Sequence, residues 1–466
     1  MCRTRPNIIY IMADDMGYGD PGCYGATKIP TPHMDRLASQ GTRFTDCHSA
    51  SAVCTPSRYA VLTGRYCWRS RLKRWVLWGF EPPLIEPERL TVASLLQQQG
   101  YATAAVGKWH LGLGWTTSDG QDPLPDGVNV DYAVPVTGGP TALGFDTSFI
   151  ITGSLDMAPY CFIQDDRVVG TPSVEKHPYN PQQRQGWMVP GWDDALVDTT
   201  FTQKAVDFID SHHAAHPEQP FFLYLTPSAP HRPCMPPSFV KGASQAGARG
   251  DMVCMVDWMV GQIDGALERL DLTDDTLIIV TSDNGARLTC FDGHDYGHRS
   301  CGDWRGQKAD IWEGGHREPF IARWPGRVPA GTTCAAPVCL VDLTATIADL
   351  VQVSLPDGAA EDSYSMLPAL RGNTSQASAR PALVHHSGAG IFSVRRGPWK
   401  LIAGLGSGGF SDPRQQDPVP GGPRGQLYHM EEDPQETANR WLDRPDTVAE
   451  LTSVLDGVRA HEQSRP

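Results

Sequence analysis

A chain of 466 residues is longer than one hydrophobic core ordinarily supports, so a large domain (residues 1–355) and a smaller one (residues 356–466) are expected. With 40% hydrophobic and 20% charged residues the composition is that of a globular protein, and no apolar run approaches the ~20 residues of a membrane helix. A formal charge of -14 argues against nucleic acid or an anionic membrane as partner, so any anionic ligand must be drawn by a few cations focused in a pocket.

The start, Met1-Cys2-Arg3-Thr4-Arg5-Pro6, runs directly into apolar Ile8 to Ile11 and leaves no room for a signal peptide. The sequence as written therefore reads as cytoplasmic, or as periplasmic or secreted if a leader has been removed. Twelve cysteines lie far apart with no C-x-x-C pair, which reads as free, buried thiols. Asn373-Thr374-Ser375 matches a glycosylation sequon, which matters only in a secreted eukaryotic protein.

Asn7 to Met12 is a β-branched, nearly continuous apolar run, predicting a strand buried on both faces of a parallel sheet. It delivers Asp14 and Asp15 to its C-terminal end, where open α/β sheets bind ligands. Adjacent carboxylates repel unless a cation lies between them; the alternative is a solvated turn. Pro32 to Gln40 predicts a short amphipathic helix stopped by Gly41, and Thr42 to Ser49 a strand leading to Cys54-Thr55-Pro56-Ser57-Arg58. Pro56 suits a first helical turn, which places residue 54 at a helix N-terminus, an anion-favouring position.

A helix over Thr91 to Gln99 and a strand over Ala102 to Val106 precede Gly107-Lys108-Trp109-His110, where lysine and histidine two apart in an extended segment would face one side. Gly112 to Asn129 reads as a surface loop, and Gly153-Ser154-Leu155-Asp156 as a turn or helix cap. Leu196 to His212 has helical periodicity and Phe221 to Leu225 reads as a strand. Ser228-Ala229-Pro230-His231-Arg232-Pro233 follows, with His231 fixed between prolines. Asp251 to Leu270 is the clearest helix, and Thr276 to Thr281 the next strand, delivering Asp283-Asn284-Gly285 to its end. That pair and Asp14-Asp15 can complete a cation cage of oxygen donors, suited to Ca²⁺, with Mg²⁺ also possible, rather than zinc.

Arg305-Gly306-Gln307-Lys308 and Trp312-Glu313-Gly314-Gly315-His316-Arg317 lead into a strand at Phe320 to Arg323, and Val341 to Val351 predicts a helix. Beyond it, strands at Leu383 to His386, Ile391 to Arg395, Lys400 to Ile402 and Gln426 to His429, then a helix over Val448 to His461, predict a small antiparallel sheet subdomain.

Together, C-T-P-S-R with Leu62-Thr63-Gly64-Arg65, K-W-H at 108–110, P-H-R-P at 230–233, D-N-G at 283–285, R-G-Q-K at 305–308 and G-P-W-K-L at 397–401 resemble the type I sulfatases, in the family's order. The closest flavour is that of arylsulfatase A and galactosamine-6-sulfatase. The resemblance implies an α/β fold like alkaline phosphatase, with a large, mostly parallel mixed sheet between helices and a smaller C-terminal antiparallel sheet. It implies that a formylglycine-generating enzyme converts Cys54 to formylglycine, whose hydrated gem-diol attacks the sulfur of a sulfate ester and later expels sulfate.

By the same resemblance, Arg58 holds that hydrate, Lys108 and Lys308 bind sulfate oxygens, His110 takes the diol proton, and His231, with Lys308, assists departure of the alcohol. Asp14, Asp15, Cys54, Asp283 and Asn284 would ligate the cation, and Ser154 would lie near the sulfate, while Arg317 holds structure. A sulfated saccharide is the expected substrate, because Trp115, Trp187 and Trp192 in the loops 112–129 and 171–192 could stack on sugar rings. Two alternatives stand: a phosphate or phosphonate ester hydrolase of the same superfamily, against which Asn284 speaks because those enzymes tend to have Asp-His there, and a non-catalytic glycan-binding protein with an unmodified Cys54.

Overall fold

The computed structural model describes residues 5–179, 183–288, 294–373 and 380–465. In chain order the elements are β1 (Asn7–Ala13), α1 (Pro32–Gln40), β2 (Thr42–His48), α2 (Cys54–Thr63), α3 (Val92–Gln98), β3 (Ala102–Lys108) and β4 (Thr147–Ile151). Four short strands follow: β5 (Ile163–Gln164), β6 (Arg167–Val168), β7 (Val174–Lys176) and β8 (Gly186–Met188). Next come α4 (Val197–Ala215), β9 (Phe221–Thr226), α5 (Gly247–Arg269), β10 (Thr276–Ser282), α6 (Glu313–His316), β11 (Arg317–Arg323), β12 (Thr332–Cys334), β13 (Val338–Cys339), α7 (Leu343–Leu350) and α8 (Leu367–Leu370). The C-terminal part holds β14 (Leu383–His386), β15 (Phe392–Arg396), β16 (Trp399–Ile402), β17 (Gln426–His429) and α9 (Pro445–Ala460).

The large sheet runs β12-β2-β11-β10-β1-β9-β3-β4-β5-β6, with β13 also pairing β2. Strands β10, β1, β9, β3 and β4 are mutually parallel, and β11 is antiparallel to both β10 and β2. β1 shows why the run reads as doubly buried. Ile8, Tyr10 and Met12 belong to one core with residues of α2, α3 and α7 (Val61, Leu95, Ile347), whereas Ile9, Ile11 and Ala13 belong to another with residues of α1, α4 and α5 (Leu37, Phe201, Met255). Successive side chains of a strand point to opposite faces, so a strand covered by helices on both sides must be apolar throughout. Burying one such Ile or Leu stabilises by roughly 1.5–3 kcal/mol. This helix-sheet-helix sandwich is the expected fold class.

The second sheet, β14-β15-β16-β17, is antiparallel throughout, with α9 packed on it. Its apolar face shares a core with Ala50, Ala60, Tyr66, Cys339 and Val341 of the first part of the chain. A buried polar chain completes the join. Lys400 on β16 contacts Glu313 (3.0 Å), Glu436 (2.8 Å) and His316 Nε2 (3.1 Å); His316 Nδ1 lies 3.0 Å from His48 Nδ1, and His48 Nε2 lies 2.7 Å from Asp46. His316 Nε2 lies equally close to the Ile311 carbonyl, at 3.1 Å, so the ammonium and the carbonyl compete for opposite tautomers of that ring.

The sequence predictions hold for most elements, with ends shifted by a few residues. β4, the short strands β5 to β8, β12 and β13, and the one-turn helices α6 and α8 went unpredicted. Nine of the ten cysteines among the described residues are buried. Residues 1–4 and the sequon's Thr374 and Ser375 lie outside the described residues. No helix among those described is long and apolar enough to cross a membrane.

Candidate active site

Parallel strands β1 and β10 are in register from Asn7↔Thr276 to Ala13↔Ser282, so the residues just beyond them, Asp14-Asp15 and Asp283-Asn284, emerge side by side. Adjacent residues of a strand would point apart, but Asp15 takes a φ of +69°. This left-handed turn, costly for a non-glycine residue, lets both carboxylates serve one space. Asp283 Oδ1 accepts from Asp15 N at 3.2 Å, and Asn284 Nδ2 donates to Asp15 Oδ1 at 2.7 Å. Gly285 then passes so close to Gly314 that an added Cβ would meet its carbonyl oxygen at 1.9 Å, which explains why the turn needs glycine.

Cys54 opens α2, with Val53 as the extended N-cap residue. The loop before it is held by backbone bonds to the C-terminal sheet and to the Lys308 segment: Ala52 N donates to His386 O (3.1 Å), and Ala309 N donates to Ala52 O (2.7 Å). Cys54 Sγ stands 3.5 Å from Asp14 Oδ1 and 3.2 Å from Lys308 Nζ. Lys308 Nζ also donates to Asp15 Oδ1 at 2.5 Å, and Lys108 Nζ to Asp14 Oδ2 at 2.6 Å. Arg58 grips Asp283 Oδ2 through Nε (2.9 Å) and Nη2 (2.7 Å) and donates to the Lys108 carbonyl at 3.0 Å. Three carboxylates thus face three cations, all almost wholly buried.

Burial alone would raise Asp14, but Lys108, His231, Arg58 and Lys308 outweigh it and hold its carboxyl well below the usual range. Asp15 is likewise lowered, through Lys308 and His231 against burial. Asp283 is pushed up to about 6 by burial, with repulsion from Asp14 adding to it and Arg58 opposing. Burial drives the Cys54 thiol up to about 12 in spite of Lys108 and Lys308. At neutral pH an unmodified Cys54 is therefore a protonated thiol and a poor nucleophile.

His110 departs from the sequence expectation. It lies beyond the end of β3 with φ +58°, so the extended alternation that would align it with Lys108 is broken there. Its Nε2 is 2.8 Å from the Leu77 carbonyl, which can only accept; Nε2 carries the proton, and Nδ1 is a buried, unprotonated acceptor without a partner. Burial and then Lys108 hold its pKa well below the ordinary imidazole value. His231 uses Nδ1–H toward the Arg232 carbonyl (2.9 Å), leaving Nε2 3.7 Å from Asp15 Oδ2. Burial lowers this imidazole too. Ser154 is buried, and its hydroxyl has no hydrogen-bond partner among the described residues.

The tryptophan expectation fails for two of its three residues. Trp115 packs on Phe80 and Tyr132, and Trp192 packs on Phe162 and donates to Asp194, so both serve the core. Trp187 lies on the short strand β8 and is half-buried. The exposed tryptophans near the site are instead Trp75 and Trp78, 41% and 49% exposed. They flank Leu77, whose backbone touches both Thr55 and His110. A hollow of about 550 Å³ beside Trp78 is lined by Phe80, Pro123, Pro125, Met157 and Arg184, bringing the loops 112–129 and 171–192 together. Arg317 binds Glu313 and Asp46, the structural task expected of it.

Asp14, Asp15, Cys54 and His231 bring ligand atoms within 4.8 Å of one another, and Asn284 Oδ1 is a buried oxygen with no partner. Of these groups the oxygens of Asp14, Asp15, Asp283 and Asn284 form a hard donor set, which fits a divalent cation of the calcium or magnesium type, whereas the Cys54 thiol is a soft ligand that such cations do not favour. Three cations around such a set, at the carboxyl ends of parallel strands, suit a site that binds an anionic ester.

The comparisons narrow that class. A family model described as Sulfatase matches residues 6–353. The chain is 35% identical to the N-acetylgalactosamine-6-O-sulfatase of Bacteroides thetaiotaomicron, over 98% of this chain and 93% of that protein. It is 34% identical to the steryl-sulfatase of Homo sapiens over 85% and 74% of the two chains. A solved structure from Bacteroides thetaiotaomicron, described in terms of the metabolism of multiple glycosaminoglycans, superposes with a TM-score of 0.84 at 33% identity, covering 98% of this chain and 100% of that one. The chain belongs to the sulfatase family and is a sulfuric ester hydrolase of galactosamine-6-sulfatase-like type.

Proposed function

We propose that this enzyme removes the 6-O-sulfate of an N-acetylgalactosamine-type sugar at the pocket around Cys54. The observation that carries the site assignment is the convergence of Asp14, Asp15, Asp283 and Asn284 with Lys108 and Lys308 on residue 54 at a helix N-terminus. The sugar class rests on the named Bacteroides relative, which aligns from end to end. In this reading residues 1–355 form the catalytic domain, and residues 356–466 a subdomain that braces the loop before Cys54.

Cys54 is the position that a formylglycine-generating enzyme converts, and its hydrated aldehyde supplies the nucleophilic hydroxyl. Asp14, Asp15, Asp283, Asn284 and residue 54 would hold Ca²⁺, which when bound would supply Lewis-acid chemistry toward the sulfate. Lys108 and Lys308 bind the sulfate oxygens where charge grows. Arg58 keeps Asp283 ionised and in place. His110 Nδ1, the free acceptor, takes a proton from the residue 54 hydroxyl as sulfate leaves. His231, presenting Nε2, assists departure of the sugar alcohol with Lys308. Ser154 offers a hydroxyl to the sulfate.

The test is sulfate release, by ion chromatography, from N-acetylgalactosamine 6-sulfate, N-acetylgalactosamine 4-sulfate, an aryl sulfate and an aryl phosphate. The 6-sulfate should be the best substrate. A preference for the phosphate would replace this reading with the phosphate ester alternative.

A further inference from the structure

Resting on the sulfatase reading above, the inference here concerns what the substrate carries besides the sulfate to be cleaved. A small cavity of about 40 Å³ adjoins the site, lined by Asp15, His231 and Lys308 together with Arg232, Arg249, Arg287 and Phe410, and Arg249 is paired with Asp20. Each basic wall residue except Arg287 has a carboxylate. Lys308 holds Asp15, and Arg232 donates to Asp156 at 2.8 Å. Arg287 makes no ion pair with any described residue, and its Nε is buried without a hydrogen-bond partner.

Arg287 is nonetheless fixed in place. Its guanidinium lies over the Phe410 ring, 3.8 Å from the centroid, and Phe410 is itself fixed by a bond from its N–H to Asp310 Oδ1 (2.7 Å) and by Trp75. A guanidinium held over an aromatic face spends none of its N–H donors on that contact, and those donors match a carboxylate or sulfate with two parallel bonds. On a chain with a formal charge of -14, an arginine that has no carboxylate partner among the described residues, set on an aromatic floor beside Lys308, is out of place as mere surface decoration. Phe410 belongs to the C-terminal loop 404–425, so this wall comes from outside the large sheet.

We propose that Arg287, seated on Phe410, binds a second anionic group of the saccharide: a carboxylate on a neighbouring hexuronic acid or a second sulfate on the same sugar. The scissile sulfate is left to Lys108 and Lys308. The enzyme would thereby read its substrate as a polyanion.

The experiment measures kcat/KM of wild type, Arg287→Gln and Arg287→Lys on three substrates: N-acetylgalactosamine 6-sulfate, the same sugar linked to a hexuronic acid, and the 4,6-disulfated sugar. Wild type should prefer at least one doubly charged substrate, and Arg287→Gln should reduce that preference by roughly 10–100-fold, the worth of a charge-assisted bond. Arg287→Lys, with charge but no fork, should fall between. Whether the uronate or the disulfate loses more identifies the source of the second anion. An equal fall on all three substrates would assign Arg287 to the scissile sulfate and overturn the proposal, as would a ratio unchanged by either substitution. Sulfate released from none of them would overturn the sulfatase substrate reading as well, so the two failures are distinguishable.

Discussion

Replacing Lys400 with methionine removes one of the cations at the join between the two sheets, Arg395 with Asp46 being another, while keeping most of its buried volume. Lys400 is fully buried and lies 3.0 Å from Glu313 and 2.8 Å from Glu436. Two unit charges about 3 Å apart attract by roughly 5 kcal/mol at an effective dielectric constant of about 20, and breaking a buried pair typically costs about 3–5 kcal/mol. With an unfolding entropy of about 2.1 cal/mol/K per residue, the 466-residue chain loses about 1 °C of Tm per kcal/mol, so the expected fall is ~3–5 °C.

The pH dependence gives the sharper test. Glu436 is already pushed up to about 7, by burial first and by Glu313, with Lys400 opposing. An acid whose folded pKa is raised costs stability above that pKa and regains it as pH falls toward the unfolded value near 4.5. Without Lys400 the folded value climbs further. The Tm gap to wild type should therefore be widest at pH 8 and shrink toward pH 5, and Lys400→Met with Glu436→Gln should recover more than half of it. Thermal melts across that range decide. A gap that is absent, or constant with pH, would refute the view that these buried charges hold the C-terminal sheet in place.

Other consequences attach to single positions. Gly107 has φ +121°, and a Cβ there would sit 2.0 Å from the Thr226 carbonyl oxygen, so Gly107→Ala should lower Tm sharply and displace Lys108; a variant as stable as wild type would show that the strand end tolerates side chains. Asp283→Ala should lose the bound divalent cation, measured by elemental analysis, and unchanged metal content would mean that the cage is assigned wrongly. Lys108→Ala should reduce kcat by roughly 100- to 1000-fold as an electrostatic contributor at the reacting group. A tenfold or smaller effect would remove it from that role.

Much of this site could be read from residues because a parallel sheet writes its chemistry in one place. Each strand is a short apolar run, and the polar residues directly after it land at the carboxyl edge. Asp14-Asp15 and Asp283-Asn284 were legible for this reason, and Lys308 through its glycine-rich frame, where Gly314 and Gly315 leave no room for a Cβ. His110 was found by motif but misplaced geometrically, since nothing in K-W-H announces a left-handed residue. β4 was missed because Thr147 to Ile151 is brief and comes after a long irregular stretch. Trp75, Trp78, Arg287 and Phe410 were missed because residues on irregular loops carry no periodicity; their neighbours are set by tertiary contacts alone. Trp115 and Trp192 show the converse, aromatics in the right loops that the core had already claimed.

The central claim is that a chemically altered residue 54, and not a thiol, performs the reaction. The most direct measurement plots sulfate release against the fraction of residue 54 converted, read from the ~18 Da mass loss of its peptide in preparations made with varying amounts of formylglycine-generating enzyme. A straight line through the origin is expected. Full activity in protein whose residue 54 remains cysteine would contradict the account.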